Sequence, residues 1–197
     1  MAKIRPLPQD THADLQDTFG TYRKLLGYVP NSVLILQHRP RVVKALGQLA
    51  AAVWDADCAV DIGLKRLAAY LASRHHGCAY SMAHAAEAAH RAGISDARMA
   101  AVADYRSSPL FTEAERAALD FAVAAAAQPC AVDDALIERM QRYWTDAQIV
   151  EIAAAVAING FLNRWNSSMA VPLEAEPAAF GAAHLRPHGW DIGRHGG

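Results

Sequence analysis

Apolar residues recur at helical spacing along nearly the whole chain. Leu64, Leu67, Ala68 and Leu71 fall on one helix face, as do Ile149, Ile152, Ala153 and Val156. No stretch alternates as a half-buried strand would. Start signals agree with the periodicity, because Thr112 with Glu115 and Thr145 with Gln148 have capping-box spacing ahead of apolar runs. Pro30, Pro40, Gly77, Gly93 and Pro129 punctuate the pattern. The pattern predicts helices near 10–25, 40–54, 61–76, 78–92, 95–106, 112–127, 132–143 and 145–169. They would form a single helical domain over 1–170. From Val171 onward Pro172, Pro177 and Pro187, then Gly193, Gly196 and Gly197, predict an irregular tail over 171–197, either a mobile end or an arm on a partner subunit.

The fold class is therefore all-α. Abundant alanine, as in Ala122 and Ala124 to Ala127, favours helix and lets neighbours approach closely, so a compact bundle is expected. Short alanine-rich helices leave apolar faces over, which points to a homo-oligomer. With 19 basic and 20 acidic residues among 197, the charge is balanced. That excludes nucleic acid and anionic membrane surfaces as natural partners and favours a small-molecule substrate. Apolar stretches such as Ile149 to Leu162 are interrupted by Glu151 and fall short of a membrane span. The start MAKIRPLPQD lacks a signal-peptide core, so a cytoplasmic location is expected. Cys58, Cys78 and Cys130 are too scattered for a disulfide framework, which suits a reducing compartment.

Chemistry concentrates between Gly77 and Gly93. Cys78, Ser81, His84, Glu87 and His90 each stand three positions from the last, so successive members are neighbours on a helix surface. A thiol at a helix start is favoured as thiolate, and a thiol or hydroxyl beside a histidine is the minimal nucleophile and base pair. The plainer reading is that Cys78 is a small buried hydrophobe and Ser81 a filler. Glu87 and His90 have Glu-x-x-His spacing, but no second such pair exists. Glu87 is better matched to Arg91 or His90 on a solvated face, so no metal is expected, and no cofactor either.

The run Gly77-Cys78-Ala79-Tyr80-Ser81, followed by a histidine and the Gly93 turn, resembles the carboxymuconolactone decarboxylase and alkylhydroperoxidase D-like superfamily. Gly27-Tyr28-Val29-Pro30-Asn31-Ser32, with Arg39-Pro40, is similar to the entry region of its peroxidase-related members. Asn163-Arg164-Trp165-Asn166, with Met169-Ala170 and Leu173-Glu174, resembles the C-terminal signature of one branch. The resemblance implies an oligomeric helical bundle with a Cys-x-x-Cys site served by a glutamate and histidine relay. The chain departs from this where it matters. Ser81 replaces the second cysteine, Arg66 stands where the relay glutamate lies, and Ala85 takes the usual histidine position, with His84 one residue earlier.

Three functional readings follow. The first is a thiol-dependent peroxidase or oxidoreductase with Cys78 as surviving thiol, Ser81 at the attacking position and His84 as proton shuttle, and Tyr80 completing the retained pattern. The second is a cofactor-free decarboxylase or isomerase acting on a small organic acid, with His84 as base and Tyr80 or Ser81 as donor. The third is an inactive binding module. A serine cannot form a disulfide, so a two-cysteine cycle is not expected of this chain. Asn163, Arg164 and Trp165 are the candidate substrate-binding residues, Arg164 suiting a carboxylate; their structural alternative is a polar network joining the helix to its neighbours.

Overall fold

The computed structural model describes residues 4–55 and 57–196. Met1 to Lys3, Ala56 and Gly197 lie outside it, and with them the ends of the N-terminal segment and of the glycine-rich C-terminus. Ten α-helices form the described residues, with short 3-10 turns between some of them and no strand. They are α1 (Gln16–Leu26), α2 (Asn31–Leu36), α3 (Pro40–Val53), α4 (Ile62–His76), α5 (Ala79–Arg91), α6 (Asp96–Ala101), α7 (Glu113–Ala126), α8 (Asp134–Gln141), α9 (Asp146–Met169) and α10 (Ala175–Phe180). No helix is long and apolar enough to cross a membrane.

α4 is the central helix, packed by α5, α7 and α9. Its residues from Gly63 to Ser73 are all buried, including Lys65, whose ammonium donates to the Val53 carbonyl at 2.9 Å. Asp61 caps its start by accepting from the Leu64 amide at 2.9 Å. Its end is a Schellman motif: Gly77 takes φ +75°, the Gly77 amide donates to the Arg74 carbonyl, and the Cys78 amide donates to the Ser73 carbonyl, both at 3.1 Å. A left-handed residue is needed there, and glycine supplies it without strain. The turn leaves Cys78 as the N-cap of α5, which fixes where the ladder of reactive side chains begins.

Both capping boxes form, at Thr112 with Glu115 and at Thr145 with Gln148, and start α7 and α9. Two helices were not anticipated. α2 is six residues long and apolar from Val33 to Leu36, too short for a period to show; it follows Pro30 and buries Val33, Ile35 and Leu36. α10 falls in the segment expected to be irregular. Pro177 sits in its first turn, where a missing amide proton costs nothing, so this proline does not break the helix. Beyond it the chain folds back on α5. The Trp190 indole donates to the Ala79 carbonyl at 3.0 Å, the Leu173 amide donates to the His195 carbonyl at 2.9 Å, and Leu185 and His195 are buried.

Candidate active site

The first turns of α5 place four reactive side chains in two directions. Cys78 is fully buried, with its sulfur 3.3 Å from the Ser81 hydroxyl. Tyr80, Ser81 and His84 instead line a cavity of about 80 Å³ enclosed by α1, α3, α4, α5 and α9. Its walls are otherwise mainly apolar, with Leu26, Leu46 and Ile158 among them, and Arg66 and Asn166 add polar groups.

Hydrogen-bond bookkeeping at Ser81 shows what it presents to the cavity. Its oxygen accepts from the Cys78 thiol at 3.3 Å and from the Asn166 amide nitrogen at 3.2 Å. A hydroxyl has two acceptor positions and one proton, so while the thiol donates to it both acceptors are engaged and the Ser81 proton is left for the cavity; a thiolate, or a thiol turned to another acceptor, takes that proton instead.

Tyr80 and His84 share one carboxylate, Glu174, from the segment just before α10. The Tyr80 hydroxyl donates to Glu174 Oε1 at 2.8 Å, His84 Nε2 lies 2.7 Å from Oε2, and the Asn31 amide also donates to Oε1. The Tyr80 and His84 rings stack with centroids 4.4 Å apart. Burial pushes the Glu174 carboxyl up, but the bonds and charge from His84, with the Asn31 amide and Tyr80, outweigh it and hold the group below its ordinary value. Burial and the Glu174 charge push the Tyr80 phenol well up, so it stays a donor.

On the other side of His84, the Tyr28 hydroxyl lies 3.1 Å from Nδ1 and 3.3 Å from Glu87 Oε2. Glu87 is in turn paired with Arg91 at 2.5 Å, one of the two pairings the sequence suggested. The single Tyr28 proton has two acceptors. When it is on Nδ1 the imidazole is neutral, with Nε2–H toward Glu174. When it points to Glu87, Nδ1 can carry a proton of its own. A continuous chain therefore runs from Glu87 through Tyr28, His84 and Glu174 to Tyr80 at the cavity wall.

The imidazole beside the thiol is His195. Burial raises the Cys78 thiol, while its neighbours His195, Ser167 and Ser81 outweigh burial and leave it below its ordinary value. His195 Nδ1 lies 2.7 Å from the Val171 carbonyl, an acceptor only, so Nδ1 carries the proton and Nε2 is left as the acceptor. Among the described residues Cys58 and Cys130 are likewise free thiols, and Cys130 is exposed.

The second sequence cluster divides by face. Asn159 donates to the Ala69 carbonyl at 2.9 Å and to Ser73 at 2.6 Å, Asn166 donates to Ser81, and Trp165 donates to the Ser32 carbonyl at 3.3 Å, so these residues tie α9 to its neighbours. Arg164 does not line the cavity. It is exposed, donates to the Gly160 carbonyl at 3.2 Å, and borders a different surface pocket with Asn163 and His76. Of the cluster, Asn159 and Asn166 reach the cavity wall.

Several residues of the site were not singled out from the sequence, Tyr28 and His195 among them. Glu174 was legible only as part of the C-terminal signature, and Arg66 only as a departure at the relay position. Arg66 is buried, lines the cavity, and lies 3.7 Å from the centre of a Trp54 ring.

This all-helical bundle has counterparts among known proteins. Residues 40–124 match the carboxymuconolactone decarboxylase family. The chain is 33% identical to the debrominase Bmp8 over 91% of its own length and 96% of that chain, with a TM-score of 0.85. It is 32% identical to a cysteine-to-alanine variant of Bmp8 in complex with 2,3,4-tribromopyrrole, over 93% and 97% of the two chains, with a TM-score of 0.86. The uncharacterized protein YnjA of Escherichia coli (strain K12) is 41% identical over 86 residues, 44% of this chain; the match spans about half, 47%, of that relative. A peroxidase-related protein with an alkylhydroperoxidase AhpD core from Ralstonia eutropha JMP134 shares the fold at 21% identity, covering 90% and 95% of the chains, with a TM-score of 0.76. The protein belongs to the carboxymuconolactone decarboxylase family, with the AhpD-like all-helical fold.

Proposed function

We propose that the protein is a cofactor-free acid–base enzyme that moves a proton to or from carbon on a small organic molecule held in the cavity, as an isomerase or decarboxylase does. One observation carries this reading: at the cavity wall stand Ser81 and the Glu174-bound His84, while the thiol lies behind them. His84 exchanges the proton. The exchange runs at Nδ1, which is open to the substrate once the Tyr28 hydroxyl has turned to Glu87, while Nε2–H stays on the Glu174 carboxylate and balances the imidazolium charge. The Ser81 hydroxyl, whose proton is free for the cavity while the Cys78 thiol donates to its oxygen, stabilises negative charge on the substrate as it develops. Tyr80 holds Glu174 in place with its hydroxyl proton.

The thiol-dependent reading rests on a separate observation, the lowered Cys78 thiol in contact with Ser81 and His195. Bmp8 is a debrominase, and its cysteine-to-alanine variant is complexed with a brominated pyrrole. Here the position facing the cavity carries a hydroxyl, which can donate a proton but cannot accept a halogen or oxygen atom as a thiolate does.

Solvent-deuterium incorporation into a panel of small carbon acids and electron-rich heteroaromatics, followed by NMR, tests the proposal. Exchange is expected with the intact chain and with Cys78→Ala, and should fall about 10²-fold or more in His84→Ala. Exchange that disappears in Cys78→Ala moves the assignment to the thiol; exchange that persists in His84→Ala removes the base.

A further inference from the structure

The cavity holds two polar groups that neither the proton-transfer reading nor the protein's internal bonding uses. Arg66, on α4, is 9% exposed, yet among the described residues its guanidinium makes no ion pair and no hydrogen bond. Its one close partner is the face of Trp54. A buried cation without a counter-ion is costly, and a stacking contact recovers only part of that cost. Desolvation alone lowers its pKa, to about 10, which leaves it charged at neutral pH. The second group is Tyr22, on α1. It is 6% exposed, lines the same cavity, and its hydroxyl has no hydrogen-bond partner. Burial raises the Tyr22 phenol, so it too remains a donor.

We infer that Arg66 and Tyr22 form an anion-binding subsite, with Trp54 as its platform, that recognises the carboxylate of a small planar organic acid. This rests on the proposed acid–base function and names its substrate class. A guanidinium offers paired N–H donors that match a carboxylate, and a phenolic O–H supplies a further one. The apolar cavity walls suit a ring or short unsaturated chain. Arg66 also borders an outer pocket lined by Lys24, Arg91, Asp55 and Asp57. It therefore stands between that pocket and the reactive side chains, where an entering anion meets it. A fixed carboxylate would also be neutralised during any step that places further negative charge on the substrate.

The probe pair is benzoate and its neutral isostere benzamide, titrated into the full chain by calorimetry. Benzoate should bind at least about tenfold more tightly. Arg66→Gln should abolish the preference, and Arg66→Lys should keep part of it, since a lysine retains charge but not the fork. Tyr22→Phe is the variant that cannot be blamed on folding, because the hydroxyl it removes has no hydrogen-bond partner among the described residues; it should weaken benzoate about fivefold with the unfolding temperature unchanged. Equal affinities for the two probes, no saturable benzoate binding up to about 10 mM, or a preference that survives Arg66→Gln overturns the inference. If Arg66→Gln does not fold, unchanged benzoate affinity in Tyr22→Phe overturns it. Calorimetry reads binding and not turnover. A chain that binds benzoate through Arg66 but exchanges no carbon-bound proton refutes the acid–base reading alone, and one that exchanges protons without carboxylate preference refutes the subsite alone.

Discussion

Glu174 and His84 are 90 positions apart in the chain, yet the Glu174 carboxylate lies 2.7 Å from His84 Nε2. The contact joins the segment before α10 to the middle of α5. It also supplies a carboxylate to the site although Arg66 occupies the relay position. A carboxylate thus reaches His84 from a different element, while the α4 position holds a cation.

Replacing Glu174 should be felt in stability before any substrate is known. Its folded-state pKa is depressed, so it contributes stability above its ordinary value of 4.5, and that contribution is lost as pH falls through the folded value. Glu174→Gln should cost about 1 to 3 kcal/mol at neutral pH, because His84 and the Asn31 amide lose a charged acceptor. The gap to the parent should stay constant above about pH 6 and close below about pH 4. Thermal unfolding across that range checks it, and a gap that widens in acid contradicts the depressed carboxyl.

What could be read from the sequence followed from local spacing. Cys78, Tyr80, Ser81 and His84 share one helix start, and the Gly77 turn, the capping boxes and the helical period all act within a few residues. Glu174 could not be placed this way, since its position depends on a chain reversal after α9, where Ala170 adopts φ +47°. Arg164 misled for a geometric reason. Asn159, Asn163 and Asn166 follow the i, i+4, i+7 pattern of one buried face, and Arg164 is about 100° away from Asn163 on the exposed side. Tyr22 and Arg66 look like ordinary residues of amphipathic helices until the cavity shows them without partners.

The surface carries a testable apolar face. Val150 and Phe161 lie three turns apart on α9 and are 66% and 46% exposed, and Val42 and Leu49 lie two turns apart on α3 at 39% and 49%. Faces of this kind are expected to be covered by a second copy. Light scattering at micromolar concentration should show a dimer or larger assembly, and Phe161→Asp should shift it toward monomer. A stable monomer of the parent chain excludes the assembly.

The C-terminal arm should control access to Cys78. A Cβ at Gly181 would stand 2.8 to 2.9 Å from the Trp190 ring, and the indole of Trp190 is bonded to the Ala79 carbonyl beside Cys78. Gly181→Ala must therefore push Trp190 off its seat. In a Cys58→Ala, Cys130→Ala background, labelling of Cys78 by a disulfide reagent should quicken about tenfold in Gly181→Ala, through more frequent local opening. Equal rates show that the arm does not seal the thiol.

Ser81→Cys should create a dithiol that cycles, which the parent cannot do. Cys78 Sγ and Ser81 Oγ are already 3.3 Å apart, and a rotamer change at position 81 brings two sulfurs to bonding distance, about 2.05 Å. Mild peroxide should then oxidise the pair to an intramolecular disulfide, with the peroxide reduced to water. With Cys58 and Cys130 replaced by alanine, two thiols per chain should disappear. In the same background the parent's Cys78 can reach only a sulfenic acid or a bond to another molecule. The base expected to assist is His195, because its Nδ1 proton is committed to the Val171 carbonyl and Nε2 is left to accept once position 81 no longer takes the Cys78 proton. His195→Ala in the Ser81→Cys background should therefore slow disulfide formation about tenfold or more, and His84→Ala should slow it less. If the two thiols stay reduced, the helix start is not arranged for a redox pair. If His84→Ala is the more damaging change, the proton path to the thiol runs through the cavity, and the separation of thiol and acid–base site argued from the geometry fails.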